Sequence, residues 1–259
     1  MHASPSALTI PEAIEVFVGG FCFARSFTRR YVAERLDGLW VMRDAPPARA
    51  AARSRERKRE VIAHDKSPAE VVGMIREAAL PWHFVCHLHS DDEDFEAVRD
   101  GYRARGYRAL ATEWMFVHDL AAIAAAASTP PVRRIRREED AERIRRARRG
   151  RRAIRQEDLA AERPRQRLYA AMDEREVYGW VSSIPVGRHA WVSDLLVRPE
   201  HRGRGLGRSL MSKLLRDDRD HGVAASVLLA SRDGARLYPH VGYRQIAVLQ
   251  MFAPRRDDA

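Results

Sequence analysis

The sequence predicts an α/β (α+β) protein: a mixed, mostly antiparallel sheet flanked by helices in the second half, and a further α/β domain in the first. Three observations lead there. In the second half, strand-like and helix-like segments follow one another as βα, then three strands, then αβαβ, an order that combines neighbouring strands with crossover helices. Glycines stand where the helical runs should stop. Near the middle, the run Ala121-Ala122-Ile123-Ala124-Ala125-Ala126-Ala127-Ser128-Thr129-Pro130-Pro131 ends in two prolines that cannot continue a helix. At 259 residues the chain is comfortable for two domains. They are expected over residues 1–120 and 132–259, with 121–131 as the linker.

The second half begins with a strand at 132–135. Glu138, Glu139 and Asp140 then suit a helix N-terminus, where the macrodipole favours negative charge, and the helix should stop at Gly150. Strands follow at 167–172 and 177–183, with a turn at Pro185 and Gly187 and a third strand at 189–197. A glycine-rich loop feeds a helix over 204–220, stopped by Gly222. A buried strand at 225–229, a short helix over 233–240 ended by Gly242, and a strand at 244–252 complete the series. In the first half a strand is expected at 84–86, an acidic helix over 91–105 with Gly106 as its stop, and a strand at 107–117. Gly106-Tyr107-Arg108 echoes Gly242-Tyr243-Arg244. That echo has two readings: a degenerate internal repeat, or a common helix stop met twice.

Composition narrows the class. Hydrophobic residues at 45% allow buried cores, and charged residues at 32% favour solubility. No apolar run is long enough to span a bilayer, and residues 1–10 lack the basic head and apolar core of a signal peptide, so the expectation is a cytoplasmic protein without membrane contact. Cys22 and Cys86 make no disulfide framework and no CxxC metal spacing. The net charge of +10 is nearly all arginine, since lysine occurs only at Lys58, Lys66 and Lys213. This choice, with abundant alanine, fits a GC-rich bacterial genome. The arginines read as a solvated surface rather than a nucleic-acid footprint, because no aromatic-interleaved basic patch accompanies them.

The chemistry concentrates in Asp194-Leu195-Leu196-Val197-Arg198-Pro199-Glu200-His201-Arg202-Gly203-Arg204-Gly205-Leu206-Gly207-Arg208. A strand feeds a glycine loop, which feeds a helix. Glycines let backbone N–H groups turn toward a ligand, and the helix start adds unpaired donors and partial positive charge. Arg202, Arg204 and Arg208 add charge beside this pyrophosphate cradle. A P-loop would need Gly-Lys-Ser/Thr at the helix start, and a dinucleotide fingerprint would need glycine or alanine where Arg208 stands. The loop resembles the Arg/Gln-x-x-Gly-x-Gly/Ala signature of the GNAT N-acetyltransferase family, with Arg202, Gly205 and Gly207 at its fixed positions. The resemblance implies the GNAT fold for 132–259, coenzyme A pyrophosphate held by residues 202–208, and the pantetheine arm held by a splayed strand at Leu195, Leu196 and Val197. It implies acetyl-CoA as acyl donor, a primary amine as acceptor, and no metal.

A second segment, Val227 to Tyr243, resembles the family's second motif, with Tyr238 in a short helix and Gly242-Tyr243 four residues on. A phenol near the thioester sulfur can protonate the leaving thiolate, and tyrosine keeps its proton at neutral pH. The alternative is a half-buried helix aromatic. Ser231 stands where the family often has asparagine, and serine reaches a coenzyme amide less far.

Asp194 is the first candidate for the base that takes the amine proton. Strand alternation would point it opposite to Ser193 and Leu195, and an inward carboxylate is costly unless used or hydrogen-bonded within a strand bulge. Asp173 and Glu176 flank a turn and should be solvated. His189, His201 and His240 read as surface or packing residues. His83, His87 and His89 look metal-like but have no supporting carboxylate nearby. The arginine run 143–155 falls where the family's acceptor site usually begins. An acidic acceptor would suit it, and so would a solvated charged face. The first half lacks a loop like 202–207; it is left to shape the acceptor site or to make a homodimer interface. Two rival readings stay open: a catalytically weak acyl-CoA-binding regulatory protein, and an arginine-rich nucleic-acid-binding protein.

Overall fold

A computed structural model describes residues 8–46, 57–90, 94–126 and 129–255. In chain order its elements are α1 (Ile10–Arg25), β1 (Tyr31–Leu36), β2 (Leu39–Asp44), β3 (Arg59–His64), α2 (Pro68–Glu77), β4 (His83–His89), α3 (Phe95–Arg103) and β5 (Tyr107–His118). Then come β6 (Val132–Arg134), α4 (Glu138–Ala147), the single turn α5 (Gln156–Leu159), β7 (Arg167–Met172), β8 (Val177–Val186) and β9 (His189–Val197). After a 3₁₀ turn follow α6 (Leu206–Asp220), β10 (Ser226–Ala230), the single turn α7 (Arg232–Ala235), a second 3₁₀ turn at Tyr238–Val241 and β11 (Arg244–Pro254). Among the described residues no helix is long and apolar enough to cross a membrane.

The chain forms two compact units that interleave. One gathers Met1–Phe21, Phe116–Leu229 and Asp233–Arg244; the other gathers Cys22–Met115, Ala230–Arg232 and Gln245–Ala259. This division differs from the linear one read at 121–131. The alanine-proline run lies within the first unit, the start of the chain joins that unit, and most of β11 belongs to the second. Residues 1–7 and 91–93, the start of the expected acidic helix, lie outside the described residues, as do 127–128 of the linker and 256–259 of the second expected domain.

In the first unit the strand order is β10-β9-β8-β7-β6. Only β9 and β10 are parallel; β8 pairs antiparallel with β9 and β7, and β7 with β6. Helices cover both faces. On one, α4 packs Ile144 into a core with Ile135, Leu168, Ala170, Met172 and Trp180. On the other lies α6, whose apolar residues Leu206, Leu210, Met211, Leu214 and Leu215 are buried at helical spacing. The N-terminal helix closes tightly on the same unit: a Cβ on Gly20 would lie 2.1 Å from Trp191. In the second unit the order is β1-β2-β3-β4-β11-β5, with β3 and β4 parallel and β1–β2, β2–β3 and β4–β11 antiparallel. The strands of the first unit are mixed and mostly antiparallel, as the sequence predicts for the second half of the chain.

The expected short helix over 233–240 is two separate turns. Pro239 has no N–H to donate and its ring crowds the preceding turn, so the α-turn ends and a 3₁₀ turn takes over. Two histidines of β4 are held by tyrosines: His83 Nε2 lies 2.8 Å from the Tyr107 hydroxyl, and His87 Nδ1 2.9 Å from that of Tyr102.

One buried network ties α6 to the sheet beneath it. Arg167 of β7 reaches Asp218 of α6 at 2.7 Å, and Ser183 of β8 donates to the same carboxylate at 2.8 Å. Burial pushes Asp218 up to about 6, against the pull of Arg167. Asp218→Ala would leave the Arg167 guanidinium buried without a counter-charge. That change should cost about 3–5 kcal/mol, read as a lowered urea midpoint, with Asp218→Asn less damaging because Ser183 keeps its partner. An unchanged midpoint in Asp218→Ala would contradict this role.

Candidate functional site

The site is built where β9 loses its regular pairing. Ser182 faces Ser193, but Trp180 faces Leu196, so two residues of β9, Asp194 and Leu195, stand opposite one residue of β8. The extra residue is a β-bulge. Asp194 absorbs it at φ +60, a left-handed conformation that aspartate tolerates better than most side chains. Beyond the bulge β8 draws close: a Cβ on Gly179 would lie 2.6 Å from the Leu196 carbonyl oxygen, which is why that position is glycine. On its other edge β9 pairs with β10 only at Ala190↔Ser226 and Trp191↔Val227. Both strands continue past that point without pairing to each other, so residues 195–197 keep an open edge.

The loop after β9 turns through two left-handed glycines, Gly203 at φ +74 and Gly205 at φ +77. Gly205 is the N-cap of α6; no side chain caps this helix and no acid stands in its first turn. The first amides of α6 therefore have no side-chain partner. By contrast, Ser67 and Glu70 close a capping box on α2, and Asp94 caps α3. Arg202, Arg204 and Arg208 are exposed around the loop. Arg202 Nε donates to the Val197 carbonyl at 3.1 Å, so that carbonyl is already engaged. Gly207 sits against the next segment: a Cβ there would lie 3.2 Å from Leu237 Cδ2, and Leu206 is buried. Close packing at Gly207 brings the loop and the Tyr238 turn together.

Tyr238 is buried, its ring 5.6 Å from those of Phe116 and Tyr243. Burial pushes its hydroxyl up to about 12, so it stays protonated far above neutral pH. Tyr243 has a different task, its hydroxyl lying 2.7 Å from Ser226 Oγ at the start of β10. Ser231 follows β10 directly and is exposed.

Asp194 departs from expectation. The bulge breaks strand alternation, and the carboxylate is exposed rather than inward, paired with the half-buried guanidinium of Arg148 at the C-cap of α4. Burial, with Arg151 nearby, lowers Arg148 from the usual arginine range. The Arg148 partnership was not legible in the sequence, because nothing in an arginine run marks which member turns inward. Glu176 is not simply solvated either. It joins Arg198 at 2.5 Å and lies 3.2 Å from His201 Nε2, while Arg198 also reaches Glu200 at 2.5 Å. Glu176, Glu200 and His201 place ligand atoms within 4.8 Å of one another. The Arg198 guanidinium pairs with both carboxylates and occupies the space between them.

Residues 130–243 match the family model of the Acetyltransferase (GNAT) family. No curated protein matches the chain in sequence. Among solved structures, a GCN5-related N-acetyltransferase from Kribbella flavida is similar at 14% identity with a TM-score of 0.62, over 96% of this chain and 97% of that one. A GCN5-related N-acetyltransferase from Sphaerobacter thermophilus is similar at 15% identity and a TM-score of 0.55, over 83% of this chain and 76% of that one. A functionally unknown conserved protein from Staphylococcus epidermidis is similar at 9% identity and 0.55, over 90% and 97%. At these identities the likeness is one of fold.

Beside Tyr238, His118 holds the 3₁₀ turn in place. Its Nδ1 accepts the Leu120 N–H at 2.8 Å, so the proton sits on Nε2, 3.1 Å from the Val241 carbonyl. Gly242 at φ +94 allows this approach, since a Cβ there would lie 2.7 Å from Nε2. Burial lowers His118 from the usual histidine value of 6.5. The fold thus favours the neutral ring: its stabilisation is present above the unfolded value and is lost as pH falls through the depressed folded one. His118 should therefore pull the urea midpoint down between pH 7.5 and 5, against the raised carboxyl of Asp218, which gains stability over the same interval. The drop should be smaller in His118→Asn, though not absent, because burial also holds His83 and His87 low. Identical drops in the two proteins would show that His118 is not a proton-linked support.

Proposed function

Since residues 130–243 match the model of the Acetyltransferase (GNAT) family, we propose that this protein transfers an acetyl group from acetyl-CoA to a primary amine, by direct attack within a ternary complex. The observation that carries this reading is the opening between β9 and β10 beside the uncapped start of α6. A strand edge with free peptide groups suits the amide-rich pantetheine arm, and the loop amides suit a pyrophosphate.

In this reading the coenzyme arm lies along Leu195, Leu196 and Val197. The amides of 203–208 take the pyrophosphate, with Arg202, Arg204 and Arg208 as counter-charge. A backbone N–H near Leu196 donates to the thioester carbonyl, where negative charge grows in the transition state. The amine nitrogen bonds to the carbonyl carbon, the carbon–sulfur bond breaks, and Tyr238 gives its proton to the departing thiolate. Asp194 takes the amine proton, directly or through water, with Arg148 fixing its carboxylate. No covalent enzyme intermediate is needed.

The first half is read as a degenerate copy of the same plan. Gly106 and Gly242 both have positive φ, each precedes a buried tyrosine, and each tyrosine hydroxyl meets the first residue of a parallel strand, His83 or Ser226. In this copy β3 and β4 pair over six consecutive positions and Ser67 caps α2, so neither an open edge nor free helix amides remain for a coenzyme.

Steady-state kinetics with acetyl-CoA and a panel of amines test the reading through Tyr238→Phe. Loss of the acid should lower kcat by about 10²–10⁴-fold with acetyl-CoA affinity retained. In the wild type, ionisation of Tyr238 should take no activity away between pH 7 and 10, since its titration lies at about 12. A Tyr238→Phe protein as active as wild type would remove the acid role; absence of turnover with intact acetyl-CoA binding would favour a regulatory acyl-CoA-binding protein.

A further inference from the structure

An open groove of about 470 Å³ lies between α4, the turn joining β7 to β8, and the end of β9. It is lined by Arg143, Arg146, Arg175 and Arg198, with Glu176 as its one carboxylate. Three elements far apart in sequence bring these guanidiniums to one concavity, which is not the pattern of a single charged helix face. Internal partners leave an excess of positive charge. Five arginines, Arg143, Arg145, Arg146, Arg175 and Arg198, meet three ion-pairing carboxylates: Glu176 and Glu200 share Arg198, and Glu142 is shared by Arg145 and Arg146. Arg143 spends its bond on the neutral Asp173 carbonyl, and Arg175 has no carboxylate partner among the described residues. Gathering like charges around a concavity is unfavourable unless an anion enters it.

The groove also opens onto the right side of the sheet. Trp180 lies in the core under α4, and its pairing partner Leu196 shares that face. Gly179 and its partner Val197 face α6 instead, a Cβ on Gly179 lying 3.3 Å from Leu210. Asp194 meets Arg148 of the α4 end, and Leu196 is a large exposed apolar residue on the same side. Arg198 follows Leu196 by two residues, roughly 7 Å along an extended strand.

We infer that this groove binds an anionic group of the acceptor, so that the substrates are amines carrying a carboxylate or similar anion. The inference rests on the acyl-transfer reading and names the substrate class of the same site. The carboxylate would pair with Arg146 and Arg175, and the aliphatic chain would run over Leu196 toward the β9 opening.

The probe is 6-aminohexanoate, with hexylamine as the control that lacks the anion. Each is titrated calorimetrically into protein saturated with coenzyme A, after acetyl-CoA binding has been measured on its own. The expected result is binding of 6-aminohexanoate about tenfold tighter or more than hexylamine. Combined Arg146→Glu and Arg175→Glu substitution should abolish this preference and leave acetyl-CoA affinity unchanged. Equal binding of the two probes, or binding of neither, overturns the assignment. A weakened acetyl-CoA affinity in the variant also overturns it, because the groove would then serve the coenzyme phosphates. Failure of the wild type to bind acetyl-CoA at all would sink the acyl-transfer reading, and the groove assignment with it.

Discussion

One extra residue in β9 governs what the first unit can hold. A strand in a sheet must match both neighbours residue for residue. With Asp194 and Leu195 set against a single residue of β8, the count fails, and the chain past the bulge stays with β8, where Gly179 lets it approach. The parallel pairing to β10 stops at Trp191. Peptide groups left unpaired at such an edge need water or a ligand, so the defect in the ladder is also the feature proposed to hold the coenzyme arm. Asp194 carries the cost, in a left-handed conformation stabilised by its pairing with Arg148.

The remaining supports make that opening rigid. Arg167, Ser183 and Asp218 fix α6 to β7 and β8, so the amides at its start point from a fixed frame. Tyr243 anchors to Ser226, and His118 holds the Val241 carbonyl, so the turn bearing Tyr238 is pinned on both sides. The second unit shows a different arrangement. Its parallel pair β3–β4 stays in register, its next helix is capped by Ser67, and no comparable cradle forms there among the described residues.

The sequence carried much of this plan, unevenly. The strands at 167–172 and 189–197 have the bounds expected of them, the second set off sharply by Gly187 and the loop glycines; Pro185, expected in a turn, instead lies inside β8 and pairs with Ala190. The glycine loop was legible because only glycine adopts the conformations at 203 and 205 readily. In the first half α1, β1, β2, β3 and α2 were not assigned. The hairpin between β1 and β2 turns on Asp37-Gly38, a signal that was present, whereas α1 carries the pair Gly19-Gly20, which weakens a helical reading. For Asp194 the sequence left two readings open, an inward carboxylate or one bonded within a strand bulge, because no residue in 192–197 decides between a regular strand and a bulge by type; the bulge is present. The interleaving of the two units is a tertiary relation that residue order does not encode locally.

Isothermal titration of the purified protein with acetyl-CoA, with Gly205→Glu as the comparison, tests the central claim most directly. At φ +77 a glutamate is strained, and its carboxylate would stand among the amides assigned to the pyrophosphate. One acetyl-CoA per chain in the wild type, with binding lost in the variant, is the predicted result. No binding by the wild type, or equal binding by both proteins, would contradict the account, because the opening at the bulge and the amides beyond it would then not be a coenzyme site.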